Sequence, residues 1–331
     1  MPLSRRSLLL AAATAPIAPL AMPAIARAAA PIPMRVGILN DEQSPMFIAW
    51  SRFGQLVRRR TGGAIEVQVF PNAQLGGEKD VADGIRLGSV QAAAVSLAVL
   101  SAWVPQGQIF ELPFLFRDLD HAHAVMHGAV AEGLKTKFRA AGFEVLGYLD
   151  FGIRHPLGKF AINTPADVKG KRIRVIQSPL HIALWRELGA IPTPLPVTEA
   201  YNALETGVVD FMDMSETGYR QLRFYEVAPY FAELGHIYSL AGWLVGEAFW
   251  QRLSPDQQAV LARTAAECCL LHDHLEDYRG TADIDWLVRN AGVKVTRPDP
   301  APWRAAMRPV WEAFAPKLGG MELIEQIAAT K

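Results

Sequence analysis

Pro165-Ala166-Asp167-Val168-Lys169-Gly170-Lys171-Arg172-Ile173-Arg174-Val175-Ile176 holds the unit from which the rest of the chain is built. Proline, aspartate and glycine make a turn, an apolar β-type run follows, and Pro179 to Leu188 then carries apolar residues at helical spacing. Turn, strand, helix is the repeating order of an α/β layer protein. One charge inside the strand needs explaining. Arg172 and Arg174 share a face of an extended chain, but Val175 and Ile176 mark the point where the strand enters a core, so Arg174 is the deeper of the two. Burying a guanidinium unpaired costs several kcal/mol, so Arg174 requires either a protein carboxylate, Asp210 or Asp213, or a ligand that carries one.

The same alternation extends in both directions. Upstream it predicts strands over 34–39, 65–70, 90–95 and 144–149, with helices over 47–60, 78–87 and 121–141. Thr61-Gly62-Gly63 stops the first helix, and Pro71-Asn72-Ala73-Gln74-Leu75-Gly76-Gly77 loops into the second. Downstream come a short strand over 160–162, the strand 172–176, and helices over 179–188 and 198–206. One or two long helices are expected over 255–290, and another over 302–315. The fold class is α/β.

The amino terminus predicts export. Ser4-Arg5-Arg6-Ser7-Leu8-Leu9-Leu10 places paired arginines before an alanine-rich apolar segment that ends in Ala26-Arg27-Ala28, the pattern of a twin-arginine signal peptide over 1–28. Pro16, Pro19 and Pro23 argue against a helix of the mature fold, and the apolar stretch is too short and interrupted for a membrane anchor. Its removal takes away Arg5, Arg6 and Arg27 and changes 33 basic against 33 acidic residues into 30 against 33. A mildly acidic chain offers no footprint for nucleic acid or an anionic membrane. Cys268 and Cys269 are adjacent, where a disulfide would be strained, so no disulfide scaffold is implied.

Four segments in order carry a resemblance: Phe70-Pro71-Asn72-Ala73-Gln74-Leu75-Gly76, Glu111-Leu112-Pro113-Phe114-Leu115-Phe116-Arg117-Asp118, Gly189-Ala190-Ile191-Pro192-Thr193-Pro194, and Glu199 through Asp210. Together they make the chain similar to the solute-binding proteins of tripartite ATP-independent periplasmic (TRAP) transporters, the dicarboxylate-binding-protein-like family. The resemblance implies a two-lobed, type II-like periplasmic binding protein with hinge strands and a long domain-spanning helix. The lobes are expected at 29–152 with about 241–285, and at 153–240 with about 286–331. It also implies delivery of an organic acid to a membrane permease driven by an ion gradient, without catalysis or cofactor. A homodimer through the long helix and a metal ion bridging ligand and protein are left open.

In that family the arginine of a Lys-Gly-x-x-x-Arg-Val pattern clamps the ligand carboxylate, and here this is Arg174 in Lys169-Gly170-Lys171-Arg172-Ile173-Arg174-Val175. A planar guanidinium can hold a carboxylate through two parallel hydrogen bonds. Arg154, in Phe151-Gly152-Ile153-Arg154-His155, falls at a second arginine position that similar proteins turn toward the cleft; a solvated lobe edge is the alternative. Asn40 closes the first strand, where open α/β sheets place ligands, or else forms a turn or cap before Ser44-Pro45. Ser96 closes another strand and either donates to the ligand or caps the next helix. Where relatives read Val-Asp-Gly-x-Glu-Asn-Pro, this chain reads Val209-Asp210-Phe211-Met212-Asp213-Met214-Ser215. Met214 thus replaces an asparagine that assists the arginine, and the pocket is expected to gain apolar surface and move away from C4-dicarboxylates. Asp213, Trp243 and His236 complete the candidates. Trp243 with Phe249 and Tyr219 makes either an aromatic wall or core packing, and His236 either approaches the cleft or satisfies a backbone carbonyl.

Rival functions lack their constellations. Cys268 and His272 share a helix face, but no second cluster completes a zinc site. No Gly-x-Ser-x-Gly elbow or Walker loop is present, and Asp283 and Asp285 read as solvated carboxylates on different helix faces. A periplasmic sensor docking on a signalling receptor would use the same pocket, and a secreted hydrolase would turn its acid over.

Overall fold

The computed structural model describes residues 30–330; the leader and its cleavage site lie outside the described residues. Strand and helix alternate from the start: β1 (Ile32–Gly37), α1 (Pro45–Arg60), β2 (Ile65–Phe70), α2 (Glu78–Leu87) and β3 (Ala92–Ser96). Ser44 opens α1 by accepting the Phe47 amide at 3.1 Å, with Pro45 in the first turn. Pairing of β1 with β2 and β3 is parallel, as helical crossovers dictate. Next come α3 (Leu97–Leu100), a 3₁₀ turn over Pro105–Glu111, α4 (Leu119–Met126) and α5 (Ala129–Ala140). The single helix expected over 121–141 is interrupted at His127-Gly128, where Gly128 is extended and opens α5.

β4 (Phe143–Gly158) runs well past the expected end at Leu149. Beyond it lie β5 (Arg172–Val175), α6 (Pro179–Glu187), β6 (Ile191–Pro194), α7 (Val197–Glu205), β7 (Phe211–Met214), α8 (Glu216–Gln221), β8 (Tyr230–Ala232) and β9 (Ile237–Gly246). The strand expected over 160–162 is irregular chain. The strand order is β2-β1-β3-β9-β4-β7-β5-β6, with β8 also on β4. β4 pairs antiparallel with β9 from Phe143↔Gly246 to Arg154↔Ile237, then changes partner and pairs with β7 from His155↔Met214 to Gly158↔Phe211. Between Asp150 and Ile153 the register slips by one residue, and Gly152 takes φ 85° there. A Cβ on Gly152 would meet Ser215 Cβ at 2.4 Å, so the left-handed backbone and the close approach both require glycine.

The remaining elements are α9 (Glu247–Trp250), α10 (Pro255–Ala291), β10 (Lys294–Thr296), α11 (Pro300–Ala305), α12 (Arg308–Leu318) and α13 (Met321–Ala329). α10 is one helix of 37 residues, opened by a Ser254/Gln257 capping box and closed by Gly292 in the left-handed region. Leu261, Ala265, Cys268 and Cys269 pack it into the core beneath β1 and α1, and Leu287 packs it into a second core around β7 and β8. The stretch between these two anchors is what reaches the cavity described below. Asp283, read from sequence as solvated, is buried and ion-paired with Arg220 of α8; its neighbour Asp285 is exposed and pairs with Arg289 at 3.2 Å. Both cysteines are free and buried. The expected helix over 302–315 is divided into α11 and α12. α12 ties the end of the chain to the 105–121 segment, Trp311 Nε1 donating to Pro113 O at 3.0 Å. No helix of the described residues is long and apolar enough to cross a membrane.

Candidate functional site

A cavity opens where strands on the two sides of β4 end. Leu39 and Asn40 after β1, Ser96 at the end of β3, Arg174 and Ile176 at the end of β5, and Met214 and Ser215 at the end of β7 all line it. This is the position at which open α/β sheets place their ligands. The first turns of α1, α2 and α7 reach it through Pro45, Glu78 and Val197. Three helix amino-terminal ends therefore direct their partial positive charge toward the cavity. Asn40 Nδ2 donates to Gln221 Oε1 at 2.7 Å, so the β1 side and the α8 side touch across it.

Two guanidiniums line the cavity, and both are buried. Arg154 sits at the residue where β4 leaves β9 for β7. Its Nε and Nη2 donate to the Asp213 carboxylate at 3.1 and 2.8 Å, and Nη2 also donates to the Asp213 carbonyl at 2.6 Å. His236 Nε2 lies 2.9 Å from Asp213 Oδ2. Burial would push the Asp213 carboxyl up, but the Arg154 charge and these hydrogen bonds outweigh it and hold it well below the usual carboxylate range. Asp213 and His236 do not line the cavity; they stand behind Arg154 and fix it.

Arg174 is different. Its Nε donates to Leu195 O at 2.8 Å, and neither Nη has a partner among the described residues. The two carboxylates available in sequence are taken, Asp213 by Arg154 and Asp210 by Arg172 at 2.6 Å. Burial first, and then the neighbouring Arg154 charge, lower the Arg174 guanidinium to about 10, against the pull of Asp213 and Glu78. Even so it is a cation at neutral pH, with its planar donor edge unfilled. Neither Asp210 nor Asp213 pairs with Arg174, and Glu78, which lines the same cavity, acts on it as a nearby charge without an ion pair among the described residues.

The other candidates divide clearly. Asn40, Ser96 and Met214 line the cavity. Ser96 also caps α3, its hydroxyl accepting the Val99 amide at 3.4 Å. Met214, with Leu39, Phe151, Ile176, Val197 and Leu222, gives the cavity an apolar side. Trp243 does not reach it: the ring is fully buried and stacked on Trp50 with centroids 3.6 Å apart, so the expected aromatic wall is core packing. Phe249 and Tyr219 are core residues as well, and Phe151 is the aromatic side chain that faces the cavity. Three titratable lining residues were not anticipated. Glu78 opens α2 and accepts the Ser96 amide at 2.7 Å, and burial raises its carboxyl. His272 and Glu276 come from the middle of α10.

Residues 36–317 match the family model of the bacterial extracellular solute-binding protein, family 7 (DctP). The chain belongs to this family. A solute-binding protein of Verminephrobacter eiseniae is 34% identical over 92% of this chain and 91% of its own length. Among solved structures, a TRAP periplasmic solute-binding protein of Roseobacter denitrificans with bound β-D-glucuronate superimposes with a TM-score of 0.86 at 30% identity, covering 90% of this chain and 100% of that one. The succinate-bound counterpart from Shewanella oneidensis has a TM-score of 0.87 at 28% identity, covering 91% and 99%. This family 7 member is a TRAP solute-binding protein with a mixed α/β fold of that type, as the ordered motifs imply.

Proposed function

We propose that this TRAP solute-binding protein captures a carboxylate-bearing organic acid, clamps the carboxylate on Arg174, and presents it to a membrane permease for ion-gradient-driven uptake. One observation carries the reading: a buried guanidinium that has no carboxylate partner among the described residues and faces a cavity with its donor edge free. Filling that edge with two charge-assisted hydrogen bonds restores what burial removed, each contributing about 1.5 to 3 kcal/mol net. The glucuronate of the Roseobacter protein and the succinate of the Shewanella protein have a carboxylate in common. Closure of two lobes, 29–152 with about 241–285 against 153–240 with about 286–331, would bring Asn40 and Ser96 against the arginines and expel water. The leader Arg5-Arg6 supports export to the periplasm by the twin-arginine route.

A thermal-shift screen of the mature protein against aliphatic and aromatic mono- and dicarboxylic acids tests this. An acid at a hundred times its dissociation constant stabilises by roughly 2.7 kcal/mol. The shift is expected in the wild type, and it is expected to fall to about half or less in Arg174→Ala. A folded protein that no acid moves, or a shift undiminished by the substitution, would sink the clamp.

A further inference from the structure

The two ends of the cavity differ in chemistry. One carries the guanidiniums of Arg154 and Arg174, and both act on the Glu78 carboxyl beside Ser96. The other carries Glu276 and His272 of α10 with Thr217 of α8. The main charges acting on Glu276 are His272, Asp150 and Glu216; neither arginine is among them, although all line or adjoin the same cavity. Glu276 enters the cavity from α10, whereas the two arginines enter it from β4 and β5. Glu276 lies beside the turn at Gly152, where a Cβ would be 3.4 Å from its Oε1. The Thr217 hydroxyl donates to that oxygen, and Oε2 has no donor among the described residues. His272 turns Nδ1 toward Asp273 at 3.5 Å, and its Nε2 likewise has no partner among them.

We propose that Glu276, held by Thr217 and flanked by His272, is the specificity-determining residue of the cavity: it selects a monocarboxylate whose far end bears hydrogen-bond donors, a hydroxylated acid, and rejects dicarboxylates. The inference rests on the Arg174 clamp fixing one end of the ligand. With that end fixed, a remote hydroxyl fills the vacant acceptor site of Glu276 Oε2. Above about pH 7, where Glu276 is ionised, a second ligand carboxylate in the same place puts like charge against an acid already flanked by Asp150 and Glu216. An ammonium group satisfies the same acceptor as a hydroxyl does.

Calorimetric titration with acids that differ only at the remote end separates these cases. The matched probes are D-gluconate against D-glucarate, and 4-hydroxybutanoate against succinate, with 4-aminobutanoate as the ammonium arm. Each is run on wild type, Glu276→Gln and Arg174→Ala. The hydroxy acid is expected to bind at least tenfold more tightly than its matched diacid. Glu276→Gln is expected to shrink that ratio severalfold, mainly because the diacid gains. Tightest binding by 4-aminobutanoate supports the donor-reading end and assigns the donor as an ammonium. Arg174-dependent binding in which the diacid equals or exceeds the hydroxy acid overturns this inference alone, as does a ratio unchanged in Glu276→Gln. If no probe binds, or binding ignores Arg174→Ala, the clamp falls and the inference falls with it.

Discussion

Arg154 and Arg174 line the same cavity and are buried to the same degree, 5% and 3% exposed, yet the chain neutralises one and leaves the other open. Arg154 has a carboxylate, a carbonyl and, through Asp213, a histidine behind it. Arg174 has one carbonyl. A buried charge with a carboxylate of its own, as Arg154 has in Asp213, is a structural element whose removal strands its counter-ion. A buried charge without one is held in place by the surrounding fold and becomes compensated when a ligand arrives. Burial alone does not distinguish a binding residue from a structural one; the count of unfilled donors does.

The largest effect expected from that contrast is Asp213→Ala. It leaves Arg154 charged and buried without its carboxylate, and should cost about 3 to 5 kcal/mol in urea unfolding. A loss below about 1 kcal/mol would mean that the two arginines are equivalent after all. Arg174→Ala should do the reverse. In the ligand-free protein the substitution removes a buried charge that has no direct ion pair, so unfolding stability should hold or rise, while acid affinity falls at least tenfold, about 1.4 kcal/mol. Parallel loss of stability and binding in Arg174→Ala would erase the contrast.

Much of the clamp was legible because its signals are local. A charge inside Ile173-Arg174-Val175-Ile176 announces itself in any strand reading, Asn40 and Ser96 follow from strand ends, and Met214 follows from a departure from the family pattern. The opposite end of the cavity was not legible. Glu276 and His272 lie on a helix whose apolar contacts serve two separate cores, so the stretch between them shows no single apolar face that would identify the polar residues as inward. β9 was missed for a related reason: Ile237 to Gly246 is buried on both faces and lacks the alternation of a half-exposed strand. Trp243 was misplaced because a large aromatic side chain fits a pocket wall and a core equally well until its neighbour Trp50 is known. Asp213 and Asp210 were interchangeable partners in sequence. Only the register, Arg174 opposite Met212 and His155 opposite Met214, assigns them to different arginines.

A smaller effect is expected at the turn that delivers Arg154. Gly152→Ala imposes a side chain at φ 85° and against Ser215, which should cost roughly 1 to 3 kcal/mol of stability. Because the bulge sets the side chains that follow it on β4, the same variant should weaken acid binding even at temperatures where it is fully folded. Binding at wild-type affinity in the folded variant would show that Asp213 alone positions Arg154.

The remaining effect is a dependence on pH, and it has opposite signs at Asp213 behind Arg154 and at Glu276. Asp213 is depressed, so its contribution to stability is present above the ordinary 3.8 and disappears only as pH falls through its lowered value. Glu276 is raised from its ordinary 4.5 to about 7, first by burial and then by Asp150 and Glu216, against the effects of His272 and Thr217. Its protonated form favours the fold, so its contribution is complete below pH 4.5 and is lost as pH rises to about 7. Glu276→Gln is neutral throughout and keeps the contribution at every pH. The melting temperature of the variant should therefore match the wild type at the acid end of that window and exceed it at the neutral end. The acid Asp150 titrates in the same direction, to about 6, and because its charge and that of Glu276 act on each other, the difference between the two proteins reports the coupled pair. A constant offset between the two melting curves across the window would place Glu276 in water instead of in the cavity, and would remove the asymmetry between the clamp and the end that reads the rest of the ligand.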